Sequence, residues 1–176
     1  MRAFFPVDAH TAAPEAACAH YAALLRQYPA DLCALGIGEN GHLAFNDPPA
    51  DFDTTDPYLI VGLDEACRQQ QVGEGWFKSM DEVPRQAISM SVHQIMQSRT
   101  ILCSVPDARK AKAVRDTVEG PVDPQVPASI LQNHPDCVLL LDPPADLEHM
   151  RGVTWALLGG VSVLALFGLR YPLQML

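Results

Sequence analysis

The chain is predicted to be an α/β protein, a parallel-rich sheet with flanking helices, followed by a C-terminal apolar helix. Three observations predict this. Short apolar strands alternate with segments of helical composition, the order that builds a parallel sheet. The run Leu32 to Ile37 reads as a short buried strand running out into glycine. A length of 176 residues permits a single core of ordinary size.

Taken in order, residues 14–28 fit a helix, with Pro14 in its first turn and Cys18, Tyr21, Ala22, Leu25 and Tyr28 on one apolar face. Strand 31–37 follows, then a glycine-rich loop and a Pro/Asp-rich loop over 47–57. Residues 58–63 alternate loosely as a strand. Residues 64–80 are helical in composition but interrupted by Gly73 and Gly75, and 86–97 read as a further short helix. Strand 99–105 leads to a helix capped by Asp107 and ended by Gly120. A short helical stretch at 127–133 precedes strand 137–142. The last element is the uncharged run Gly152 to Leu169, flanked by Arg151 and Arg170. At 1.5 Å per residue it makes roughly 27 Å of helix, a candidate transmembrane segment over 152–169. The organisation read from this is an α/β unit over 1–147 and an apolar tail over 148–176.

The chemistry concentrates in Gly38-Glu39-Asn40-Gly41-His42-Leu43-Ala44-Phe45-Asn46-Asp47. This turn carries one imidazole, two carboxylates and two side-chain amides. It follows a strand, where open α/β sheets place their ligand sites. Gly38 and Gly41 allow tight turns and close approach of a ligand. His42 is the one side chain of the loop suited to proton transfer.

Composition narrows the partners. Net charge is −9, from 12 basic and 21 acidic residues, which argues against nucleic acid. Five widely spaced cysteines show no C-x-x-C or Cys/His ligand pattern, so neither a disulfide framework nor a zinc site is expected. They read as small buried hydrophobes in a reducing cytosol. The expected location is cytoplasmic, with membrane association only through 152–169.

The run LGIGENGHLAFNDPP resembles the signature of the glucosamine-6-phosphate deaminase/isomerase family, G-x-G-x-D-G-H-x-A-F-N-E-P. AISMSVHQIMQSRTILCSVPDARKAKAVRDTVEGP and VPASILQNHPDCVLLLD resemble the family's later strand and helix units. The sister 6-phosphogluconolactonases share the Gly-His core but typically follow it with Ser-Leu-Phe-Pro, so Ala44-Phe45-Asn46 favours the deaminase side. The resemblance implies a Rossmann-like fold and a C-terminal portion of a longer enzyme. The family's phosphate loop, and the Asp-Glu-Tyr segment holding its proton-abstracting base, have no match here. The tail is foreign to the family.

By this resemblance the expected reaction converts glucosamine 6-phosphate and water to fructose 6-phosphate and ammonia. No metal or organic cofactor is expected, because aldose–ketose isomerisation runs on acid–base groups. His42 stands where the family's ring-opening histidine stands, and Asp47 at a position usually held by glutamate. Asn40 replaces the usual first acid, leaving Glu39 to supply charge if the loop turns favourably. Lys110 matches the family's phosphate-binding lysine, with Arg109 and Lys112 beside it. The family's second cation has no counterpart, and Arg68 is the nearest substitute. Gly38 and Gly41 complete the expected substrate-binding set. The partner is a phosphorylated amino sugar, with a homo-oligomer or a complementing N-terminal half as further expectations. The alternatives are a catalytically deficient fragment, a sugar-phosphate-binding domain, or a 6-phosphogluconolactonase-like hydrolase.

Overall fold

A computed structural model of the protein describes residues 4–8, 11–141 and 161–165. Helix α1 runs Pro14–Gln27 and buries Tyr21 and Ala22. Tyr21 packs against Tyr58, with ring centroids 5.8 Å apart. Tyr28, expected on the apolar face, lies just past the helix, 56% exposed and stacked on Phe5.

Four parallel strands form the main sheet in the order β1-β4-β5-β6. Here β1 is Leu32–Leu35, β4 Thr100–Val105, β5 Cys137–Leu141 and β6 Val161–Ala165. Leu32 aligns with Thr100, Ile101 with Cys137, and Cys137 with Val161. A separate antiparallel pair joins β2, Tyr58–Gly62, to β3, Gln86–Met90. Between these two strands runs helix α2, Glu65–Gly73, capped by Asp64, whose carboxylate accepts from the Cys67 amide at 2.6 Å. Helix α3 is Val92–Met96 and α4 is Ala111–Glu119; 3-10 turns occupy Ala108–Lys110 and Pro127–Asn133.

The core lies between β4 and β5 and the helices over them. Ile101, Cys103 and Val105 alternate inward from β4, and Leu139 and Leu141 from β5. They meet Ala113 and Val114 of α4, Ala128 and Leu131, and Ile37 and Leu43 of the loop after β1. Ile37 and Leu43 are 1% and 0% exposed, and each such burial contributes about 1.5–3 kcal/mol, so the loop between them is anchored at both ends. That anchoring holds the chemistry-bearing turn at the carboxyl end of β1, beside the segment that leaves β4.

The structure corrects three expectations. The helix expected over 64–80 stops at Gly73, and Gly75 at φ +80° turns the chain away. Residues 86–97 are strand β3 followed by the five-residue α3, because pairing with β2 decides the state of a segment too short for propensity to settle. The apolar tail was expected as one membrane-crossing helix, yet its described stretch, Val161–Ala165, is a strand beside β5. A short uncharged apolar run does not by itself distinguish helix from strand, and here pairing with β5 decides. The rest of 152–169 lies outside the described residues, among which no helix is long and apolar enough to cross a membrane.

Candidate active site

The turn after β1 folds back on itself. The Gly38 amide donates to the His42 carbonyl and the Gly41 amide to the Gly38 carbonyl, both at 3.0 Å. This lays the imidazole directly over Gly38, where a Cβ would stand 2.2 Å from His42 Cε1 and 2.3 Å from Nδ1. Glycine is therefore required there by contact. Gly41 is required by conformation, at φ +84°, and its carbonyl accepts from Ala128 at 2.9 Å.

The far end of the turn is tied to β3 by a buried amide. Asn46 Nδ2 donates to the carbonyls of Leu43 at 2.7 Å and Met90 at 2.8 Å, and lies 3.3 Å from Ser89 Oγ. Ser89 Oγ also accepts from the Phe45 amide at 3.1 Å. Ala44 sits between them at φ 53°, a left-handed conformation that these bonds hold in place.

His42, 7% exposed, has its ring held from one side. Nδ1 lies 2.7 Å from Asn40 Oδ1 and 3.3 Å from Asp47 Oδ1. Asn40 in turn donates from Nδ2 to Asp47 Oδ1 at 3.0 Å and accepts from the His42 amide at 3.2 Å. An ionised carboxylate only accepts, so the Asn40 amide points its nitrogen at Asp47 and its oxygen at the ring. Both groups facing Nδ1 are then acceptors. The neutral imidazole carries its proton on Nδ1 and leaves the Nε2 lone pair open, with no partner for Nε2 among the described residues.

Asp47 is the charge behind this arrangement. Burial raises its pKa, but hydrogen bonds from His42, Asn40 and the Asp64 amide outweigh it and hold the carboxyl below its ordinary range. A carboxyl whose folded pKa is depressed stabilises the fold above its unfolded pKa and loses that contribution as pH falls through the folded one. Asp47→Asn is accordingly expected to cost about 1–3 kcal/mol at pH 7, with the gap to wild type narrowing as pH drops below about 4. Denaturant unfolding at a series of pH values measures it.

The remaining expected site residues are placed differently from one another. Glu39 does not join the ring: its carboxylate pairs with Arg109 at 3.3 Å, and its amide donates to Gln70 Oε1 at 3.2 Å. Lys110, at the start of α4, lies 3.8 Å from Glu74 Oε1 with its side chain 17% exposed. Arg68 is turned inward, donating from Nη2 to the Met80 carbonyl and to the Val83 carbonyl at 3.2 Å. These bonds tie α2 to the turn at 79–83, where the Val83 amide also donates to the Met80 carbonyl at 3.3 Å.

One residue near the ring had no signal in the sequence. Cys67, in the first turn of α2, is 1% exposed. Single ligand atoms of Cys67, His42 and Asp47 all lie within 4.8 Å of one another. Burial, with the charges of Asp47 and Asp64, pushes the thiol up to about 12, so it is protonated at neutral pH and is no nucleophile. Residues 67 and 47 are twenty positions apart, and only the docking of α2 against the loop joins them.

Comparison with known proteins gives this geometry a context. The family described as glucosamine-6-phosphate isomerases/6-phosphogluconolactonase matches residues 1–139. The chain is 41% identical over 141 residues to a glucosamine-6-phosphate deaminase of Lactobacillus delbrueckii subsp. bulgaricus, covering 80% of this chain and 58% of that protein. Its fold is similar to that of a monomeric glucosamine-6-phosphate deaminase, with a TM-score of 0.75 and 35% identity over 80% of this chain and 57% of the other. It also resembles a 6-phosphogluconolactonase from Leishmania guyanensis in fold, with a TM-score of 0.57 at 20% identity over 80% of this chain and 53% of the other. The chain spans a little over half the length of the relatives it matches.

Proposed function

This chain belongs to the glucosamine-6-phosphate isomerase/6-phosphogluconolactonase family, and on that footing we propose that it supplies the ring-opening centre of a glucosamine-6-phosphate deaminase. The observation that carries the reading is the pair of oxygens facing His42 Nδ1, Asn40 Oδ1 at 2.7 Å and Asp47 Oδ1 at 3.3 Å, an arrangement that favours a proton on Nδ1 and an open Nε2 lone pair. A pyranose opens when the anomeric hydroxyl loses a proton and O5 gains one. Neutral Nε2 accepts the first proton, and the resulting imidazolium donates the second. While the ring is charged, Asp47 stabilises it and Asn40 keeps its orientation. Moving the proton from C2 to C1 and releasing ammonia need a further base outside this set.

Lys110 is the cation offered to the substrate phosphate, once Glu74 yields it. Glu39 and Arg109 brace the loop against the segment after β4. The deaminase reading is favoured over lactonase hydrolysis by the 41% and 35% identities to deaminases, whereas the Leishmania lactonase, at 20%, shares the fold alone.

The test combines this chain with the part of the Lactobacillus relative that lies outside their match, and offers two substrates. Glucosamine 6-phosphate should release ammonia. 6-phosphogluconolactone should hydrolyse no faster than it does unaided. A folded assembly with the opposite preference would replace this reading with the lactonase one.

A further inference from the structure

The geometry points to a binding site for Zn2+ formed by His42, Asp47 and Cys67, in which the metal occupies the imidazole nitrogen that faces Asp47. The three residues offer a nitrogen, a carboxylate oxygen and a sulfur within 4.8 Å of one another. That mixed donor set suits zinc among the divalent cations. All three are enclosed: Cys67 is 1% and His42 7% exposed, and the Asp47 side chain 9%.

The separations are close to those a bound ion demands. With metal–ligand distances of about 2.0–2.3 Å, ligand atoms on a tetrahedral zinc stand roughly 3.3–3.6 Å apart. His42 Nδ1 and Asp47 Oδ1 already lie 3.3 Å apart. Asn40 Oδ1 now lies at hydrogen-bond distance from the same nitrogen, 2.7 Å, and must draw back by about 0.6 Å to admit the ion, after which it is a neutral oxygen for the fourth position. Closing the set requires the thiol to move by no more than about an ångström. Gly38 confines the ring from the other side, so the imidazole cannot swing away to avoid the ion.

Binding has a definite proton balance. The Cys67 thiol loses its proton to solvent as sulfur bonds the metal. The His42 proton leaves Nδ1, and the neutral ring carries its proton on Nε2 instead. A ring in that state has no free lone pair, so zinc would silence any base chemistry of His42. This consequence rests on the proposed function; the binding itself does not.

The experiment titrates the full chain with Zn2+ by calorimetry, and with Cd2+ while following the thiolate-to-metal ultraviolet band. Wild type should bind one Zn2+ tightly and develop the band at one Cd2+ per chain. Cys67→Ser should abolish the band and weaken Zn2+ binding by at least the roughly 10–100-fold that loss of a supporting hydrogen bond costs a metal site. Asp47→Asn, which keeps the side-chain shape, should weaken it comparably, and serves if the serine variant fails to fold. Cys18→Ser, on α1, should leave both signals intact. Equal Zn2+ affinity in wild type and Cys67→Ser, or a band that survives in Cys67→Ser, would overturn the proposal. Because no turnover is measured, an inactive protein that binds Zn2+ through Cys67 would retain this site and lose only the proposed function.

Discussion

If the chain supplies the ring-opening centre proposed above, His42→Gln in the assembly completed by the rest of the Lactobacillus relative is expected to lower ammonia release from glucosamine 6-phosphate by about 10²- to 10⁴-fold, the span that one general acid–base group contributes. Glutamine keeps a side chain of similar reach over Gly38. It offers no group that takes up and returns a proton near neutrality. The fold should hardly notice: the Gly38 amide still meets the residue-42 carbonyl, and losing the ring's hydrogen bonds costs about 1 kcal/mol. A large kinetic loss with near-native thermal unfolding is therefore the signature. Activity within about tenfold of wild type would remove His42 from the chemistry.

Gly38→Ala should be nearly as damaging, by a different route. Its Cβ would lie 2.2–2.4 Å from three ring atoms of His42, where non-bonded carbons prefer about 3.5–4.0 Å. The ring must shift by more than an ångström, yet Asn40 and Asp47 hold Nδ1 where it is. Overpacking of this kind costs about 1–3 kcal/mol of stability. An ångström of misplacement at a reacting group costs on the order of 10²-fold in rate. Gly62 is the control, because a Cβ there meets nothing within 4 Å, and Gly62→Ala should leave the rate unchanged. Kinetics and thermal melts of the two variants, run in parallel, separate a local clash from a general intolerance of alanine.

Much of the candidate site's convergence was legible because its residues are local. Asn40, His42 and Asp47 fall within eight positions, in a glycine turn after an apolar strand, and that density of polar chemistry has few structural uses. The alternation of strands and helices likewise foretold the parallel sheet. What stayed hidden depends on long-range docking or on main-chain atoms. Arg68 looks like a free cation in sequence, since the Met80 and Val83 carbonyls that engage it have no side-chain signature. Glu39 is adjacent to Asn40, but its partner, Arg109, comes from beyond β4. Cys67 reaches the ring only through α2. Val161–Ala165 shows the limit of periodicity: an apolar run has the same composition as a helix or as a buried parallel strand, and its neighbour β5 decides.

Nitrogen-15 NMR of the His42 ring in the full chain tests the central claim most directly, because ring nitrogens report their protons without any assay. In the neutral ring, Nδ1 should carry the proton and Nε2 should resonate as an unprotonated acceptor. Asp47→Asn should weaken that preference. A neutral ring with its proton on Nε2 would contradict the account, since the lone pair needed to open the sugar would then face Asn40 and Asp47.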